Sequence, residues 1–302
     1  MFLNEQKLKH IGFNYRYLII IWYIGTNFTG SQRQPQKRTV EGCLISSLKK
    51  TNYIEDAQTN LFRAGMRTDK GVHAREAAFA FSTNKKMIPR LLDSDLPTDI
   101  GLIRFAEVSE HFHPRWNCLE KEYQYFLPVP QKELKSLNLE NIRKILKLIA
   151  GRHDFRHFSK TDHTKPNQNT VITLKSCSIF EQPHGLLFSF TAQAFLWEQI
   201  RRTVQFLYQI GKETRTVDDL TRLLTSPSDP ENNHRIHREK PLPATGLTLY
   251  RVQFSTEIKF QEYQAKLYHK RKFFQENLIF YQQNTYWLEK FKKNLFQGLK
   301  DQ

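Results

Sequence analysis

The run Tyr15-Arg16-Tyr17-Leu18-Ile19-Ile20-Ile21-Trp22-Tyr23 is β-branched and aromatic with almost no polar interruption. That is the pattern of a strand covered on both faces, and it ends at Gly25-Thr26-Asn27, a turn sequence. A central strand of a sheet is predicted here. Next, Val40, Leu44 and Leu48 recur four apart with Cys43 alongside, which predicts an amphipathic helix from Val40 to Lys50. Glu76 to Ser82 and Ile100 to Val108 read as further strands around a short helical segment near Met87 to Leu92.

The second half repeats this grammar. Tyr123 to Val129 reads as a strand, Leu137 to Ala150 as a helix, Thr170 to Phe180 and Gly185 to Ala194 as strands, and Phe195 to Gly211 as a long helix stopped by its glycine. Ser226 to Glu239 is polar and reads as loop, and Leu247 to Phe254 as a closing strand. The expected organisation is α+β (mixed α/β): one half over residues 1–110, a related half over 111–255, and a basic, aromatic-rich helical extension over 256–302. In that extension Phe260, Tyr263, Leu267, Phe274, Leu278, Tyr281, Leu288, Leu295 and Leu299 keep helical spacing. Such a helix either docks on its own protein or extends a binding surface.

Composition narrows the function. The 302 residues include 23 Phe and 12 Tyr, enough for a real core, which excludes a disordered tail protein. Lys and Arg outnumber Asp and Glu by 46 to 30, and the net charge of +16 favours a polyanionic partner. Cys43, Cys118 and Cys177 lie too far apart in sequence to suggest a disulfide framework or a C-x-x-C site, which fits a reducing, cytoplasmic setting. The longest apolar stretch, Leu18 to Ile24, is too short to cross a bilayer, so no membrane partner is expected. No Walker loop, dinucleotide glycine fingerprint, H-E-x-x-H or G-x-S-x-G is present, which removes nucleotide-driven and metalloprotease chemistry. His153 and His157 flank Asp154, and His111 and His113 lie two apart, but no third ligand is indicated and the better reading is polar or RNA-facing histidines.

Arg63-Ala64-Gly65-Met66-Arg67-Thr68-Asp69-Lys70-Gly71-Val72-His73-Ala74 crowds three cations round one carboxylate between glycines. An ordinary basic loop accounts for this composition. So does a site in which an ionised Asp69 is a nucleophile and its cationic neighbours hold a phosphate backbone.

These residues form part of an ordered series: Gly25-Thr26-Asn27-Phe28, Gln32-Arg33-Gln34-Pro35, Arg38-Thr39-Val40-Glu41-Gly42, Arg67 to Ala74, Phe112-His113-Pro114-Arg115, Lys121 to Tyr125, Gly151 to Phe155, Ala194-Phe195-Leu196 with Arg201, and Pro243 to Leu247. In order and spacing the series resembles the tRNA pseudouridine synthase A family, in its archaeal and eukaryotic flavour, over about residues 15 to 254. The resemblance implies the pseudouridine synthase fold, in which two halves form a central, mostly antiparallel sheet with flanking helices and a cleft. It also implies isomerisation of uridine to pseudouridine without cofactor, metal or nucleotide, by a homodimer acting on positions 38 to 40 of the tRNA anticodon stem-loop. The alternatives are the same chemistry on other RNA positions, or a silent tRNA-binding protein.

Residue by residue, the resemblance makes Asp69 the nucleophile, Arg201 its ionic partner, Tyr123 the ring against the target uracil, and Arg67 the residue that fills the space of the extruded nucleotide. Thr68, Gln32, Arg33, Lys70, His73 and Arg115 fall in matching blocks and are expected to contact substrate. Read without the resemblance, Tyr123 and Tyr125 alternate in a strand as core residues do, and Arg201 and Arg202 look like a solvated helix edge. Ser31, Ile24, Met66 and Trp197-Glu198 depart from the family's usual residues.

Overall fold

The computed structural model of the chain describes residues 12–160, 169–225 and 239–263, together with Lys270, Lys272, Gln275 and Glu276. Its first strand, β1 (Tyr15–Tyr23), is the expected central one: Leu18, Ile19, Ile20 and Ile21 have no exposed surface. Burial reaches its only charge as well. The Arg16 guanidinium donates to the Phe112 and Leu61 carbonyls and to Ser82 Oγ, while burial, with Arg63 nearby, lowers its pKa to about 10.

Helix α1 (Val40–Lys50) has the predicted bounds because its ends are encoded locally. Thr39 Oγ1 accepts from Gly42 N, Glu41 lies in the first turn, and Lys49 and Lys50 lie in the last, each charge matched to the helix dipole. There follow β2 (Arg63–Ala64), β3 (His73–Thr83), α2 (Pro89–Asp95), β4 (Ile100–Glu107), β5 (Glu120–Pro128), α3 (Gln131–Leu134), α4 (Leu139–Ile149), β6 (Gly151–Asp154), β7 (Val171–Gln182) and β8 (Gly185–Ala192). Helices α5 (Gln199–Gly211) and α6 (Val217–Thr225) and strands β9 (Leu247–Gln253) and β10 (Gln261–Glu262) complete the described strands and α-helices.

All the described strands join one sheet in the order β10-β4-β1-β3-β9-β5-β8-β7-β6, with β2 added to β3. Every pairing among the described strands is antiparallel except β3 with β9, which is parallel at His73–Thr248 and Ala74–Leu249. The last long strand is thus placed between the early and late parts of the chain. Two ladders shift register beside this seam, β1 against β3 between Ile21 and Tyr23, and β5 against β9 between Glu122 and Tyr123. Such irregularities re-aim side chains.

Three expectations change. The helix predicted from Phe195 starts at Gln199, because Glu198 adopts a left-handed backbone at φ 62° and ends the preceding turn. Helix α6 and strand β6 were not foreseen. The extension begins with β10 rather than a helix: Tyr263 N donates to the Ile103 carbonyl, Arg104 lies over the Phe260 ring at 4.9 Å, and Lys270 pairs with Asp93 at 2.5 Å. The apolar positions from Leu267 onward, and nearly all of the predicted loop from Ser226, lie outside the described residues.

Candidate active site

Residues 65–72 carry Asp69 from β2 into β3, on the edge of the seam. The loop is fixed on both sides of the carboxylate. Thr68 Oγ1 shares a 2.7 Å hydrogen bond with the Tyr23 hydroxyl, Thr68 N donates to Ser31 Oγ at 2.8 Å, and Ser31 N returns a bond to the Thr68 carbonyl. Ser31, which departs from the family's usual residue, therefore braces the loop. Beyond Asp69, Val72 N donates to the Asp69 carbonyl, and the chain passes so close to Gly25 that a Cβ there would lie 2.0 Å from the Val72 carbonyl oxygen. Only glycine fits that approach.

Arg201 reaches Asp69 from α5, on the other side of the seam. Its Nη2 lies 3.1 Å from Asp69 Oδ2, and Nη1 donates to the Leu242 carbonyl at 2.9 Å. The arginine side chain is 11% exposed and the aspartate 34%, so the cation is enclosed and the carboxylate faces an opening. Arg202 is occupied elsewhere, pairing with Glu198 and donating to the Glu239 carbonyl. Adjacent arginines of identical chemistry are thus distinguished by direction, one toward Asp69 and one away.

Tyr123 and Tyr125 are separated in the same manner. The Tyr125 hydroxyl donates to the Pro243 carbonyl at 2.9 Å, which ties two segments together. Tyr123 meets the Phe195 ring edge-on at 5.2 Å. Burial, with the nearby Tyr23 and Asp69 adding to it, pushes its phenol pKa far above the usual value. Burial raises the Tyr23 phenol likewise, against the opposing effect of its Thr68 bond. Tyr123 is therefore a neutral phenol near the Asp69 carboxylate, and Tyr23 a neutral phenol bonded to the residue before it.

The other expected residues divide into a rim and a frame. Arg67, Lys70, Gln32 and Arg33 are exposed round the loop. Glu41, whose role was not anticipated, links two of them: it accepts from Arg33 N at 2.9 Å, and the charges of Arg67 and Arg33 oppose the rise in its pKa that burial causes. His73 belongs to the frame. Its Nδ1 accepts from Gly25 N at 3.1 Å, it shares a backbone hydrogen bond with Thr245, and burial lowers its pKa, so the ring ties three segments together as a neutral imidazole. Arg115 is exposed on the loop between β4 and β5.

Glu198 is the other unanticipated member, with Oε1 3.3 Å from Arg201 Nη2 and Oε2 on Arg202. A carboxylate followed three and four residues later by arginines was a legible helical ion-pair signal. Among the described residues no group of three or more His, Cys, Asp or Glu side chains is arranged to hold a metal, and no helix is long and apolar enough to cross a membrane.

Comparison with known proteins finds relatives over most of the chain. The profile of a tRNA pseudouridine synthase family matches residues 145–255. The tRNA pseudouridine synthase A of Methanosphaera stadtmanae is 33% identical over 247 residues, covering 82% of this chain and 86% of the relative. That of Methanosarcina barkeri is 34% identical over 244 residues (80% and 85%), and that of Archaeoglobus fulgidus 32% over 247 residues (82% and 86%). A solved Cbf5-Nop10-Gar1 complex contains a chain that overlaps 63% of this one and 54% of itself, at TM-score 0.30 and 12% identity. With a third of its residues shared over most of its length, the chain belongs to the tRNA pseudouridine synthase A family and is an isomerase that forms pseudouridine in tRNA.

Proposed function

We propose that the protein converts uridines 38 to 40 of the tRNA anticodon stem-loop, as a cytoplasmic homodimer, with Asp69 as nucleophile on an extruded nucleotide. The observation that carries this reading is the 3.1 Å pair between Asp69 Oδ2 and Arg201 Nη2, with the buried Tyr123 beside it. The net change breaks the N1–C1′ bond, forms C5–C1′ and moves the C5 proton to N1, so no electron donor or acceptor enters. The glycosidic carbon of a stacked nucleotide is shielded, so the nucleotide leaves the stack at a cost of a few kcal/mol, offset by cationic and aromatic contacts. Arg67, exposed at the rim, supplies the contact that fills the vacated space, Gln32, Arg33 and Lys70 line the path of the RNA, and the buried Thr68 fixes the loop that presents them.

Arg201, bonded to Oδ2, holds the carboxylate in place toward the sugar. Tyr123 packs against the uracil. Its phenol is held neutral, so it assists removal of the C5 proton as a relay, accepting that proton while passing its own to the Asp69 carboxylate once that is freed, and an equivalent proton reaches N1 from solvent. Incubating the purified protein with an unmodified tRNA transcript and mapping pseudouridine by carbodiimide treatment and primer extension tests the reading. Product at positions 38 to 40 supports it, and product confined to other positions, or no product despite binding, overturns it.

A further inference from the structure

Trp116 is 77% exposed, more than any other large apolar side chain among the described residues. An indole in water forgoes the stabilisation of burial, yet this one is not loose. The His113 ring stacks on it with centroids 4.1 Å apart and planes 20° from parallel. The turn beneath is closed by Trp116 N and Asn117 N, which both donate to the His113 carbonyl, and by Asn117 Oδ1, which accepts from His113 N at 2.8 Å. Arg115 N donates to His113 Nδ1 at 3.1 Å, which requires a lone pair on that nitrogen. Burial, then the charges of Arg63, Arg16 and Arg115, draws the imidazole pKa down to about 4. The two rings therefore form a fixed, flat, uncharged stack with one indole face covered and most of the rest in solvent.

The stack adjoins the Asp69 loop. Arg16 Nε donates to the Phe112 carbonyl at 2.9 Å, and a Cβ on Gly65, two residues before Arg67, would lie 3.0 Å from the Pro114 carbonyl oxygen. Cations flank it, and the whole chain carries +16, so a polyanion is attracted here.

We propose that Trp116, backed by His113, is a stacking platform for an unpaired nucleobase of the tRNA outside the Asp69 pocket, with Arg115 and Arg63 on the adjoining phosphates. The inference rests on tRNA being the substrate and adds a second point of contact to it. A base offers a free face to an indole only where it is unstacked, at a loop, an end or an extruded position. Stacking of this kind tolerates any base and depends little on salt, whereas phosphate contacts depend on it steeply.

The test measures binding of an unmodified tRNA transcript across a salt series, for wild type, Trp116→Ala, Trp116→Phe and Arg115→Gln. Trp116→Ala should weaken binding roughly 5- to 150-fold with an unchanged salt slope, and Trp116→Phe should retain most of the affinity. Arg115→Gln should lower the magnitude of the slope by about one. The ring is exposed, so thermal melting of the variants should match wild type. Wild-type affinity in Trp116→Ala overturns the proposal. So does a change in self-association by sedimentation with tRNA affinity intact, which would place a second copy on the ring. Pseudouridine formation is scored separately: product from wild type with no binding defect in Trp116→Ala rejects the platform alone. A binding defect with no product from wild type rejects the catalytic reading alone.

Discussion

Glu198 Oε1 approaches the same nitrogen of Arg201, Nη2, that Asp69 Oδ2 does, at 3.3 Å against 3.1 Å. One enclosed guanidinium is thereby shared between a carboxylate that faces an opening and one that is 12% exposed. A nucleophilic Asp69 loses its charge on forming a bond to the sugar or base, and a buried cation left without a counter-ion is costly. Glu198 is placed to keep Arg201 paired through such a step. Glu198→Gln should lower kcat by about 10-fold with KM within about 3-fold, since an interaction needed mainly in the transition state is lost. A change confined to KM would reject this role.

Asp69→Asn is nearly isosteric and keeps the loop anchored by Thr68. Turnover should fall by roughly 10⁴-fold or more while tRNA affinity stays within a few fold. Single-turnover pseudouridine release and a parallel binding titration check both halves of the expectation.

Binding should weaken steeply with salt, each neutralised phosphate contributing about −0.7 to −0.9 to the log-log slope. Arg67→Gln and Lys70→Gln should each reduce the magnitude of that slope by about one. A slope indifferent to both would show that the rim of the Asp69 loop does not touch the RNA backbone.

Lys270 and Asp93 are 4% and 0% exposed, and Asp93 also accepts from Leu102 N. Lys270→Met leaves that carboxylate buried without its cation and should destabilise the fold by about 3–5 kcal/mol in urea denaturation. Adding Asp93→Asn should recover part of the loss. A negligible effect of Lys270→Met would separate this lysine from the fold's stability.

His113 has a folded pKa of about 4, below the ordinary value of 6.5, because burial and three arginines disfavour its charged form. Between those values the unfolded chain binds more protons than the folded one, so stability rises with pH across the window. The contribution of the neutral ring is complete above about pH 6.5 and is lost as the pH falls toward 4. From pH 7 to pH 5 wild type should lose more melting temperature than His113→Asn, a difference that closes if the ring is protonated in the fold.

What the chain spells locally was readable. The apolar run of β1 and the cap and dipole charges of α1 lie within a dozen residues, and both elements appear at their predicted bounds. Helix α6 was equally spelled and went unread: Thr216 and Asp219 form a reciprocal capping box, Asp219 N donating to Thr216 Oγ1 and Thr216 N to Asp219 Oδ2. Other features depend on distant partners. Nothing in Leu247–Gln253 says that it pairs with both β3 and β5. The different directions of Arg201 and Arg202, and of Tyr123 and Tyr125, follow from Asp69, Glu198 and Pro243 carbonyl contacts that only the folded chain provides. The left-handed Glu198 delays α5 by four residues from its expected start, a backbone choice that helical periodicity does not report.

The parallel pairing of His73 with Thr248 also has a consequence for biosynthesis. Asp69 leaves the ribosome long before the strand that closes the sheet beside it. Until Leu247–Gln253 has emerged, β3 and β5 each lack the neighbour they share, and the nascent chain carries two open edges where the finished enzyme has a seam. Acquisition of tRNA-modifying competence therefore waits on the emergence of Leu247–Gln253. A chaperone that shields strand edges would serve this protein during the interval before Leu247–Gln253 emerges.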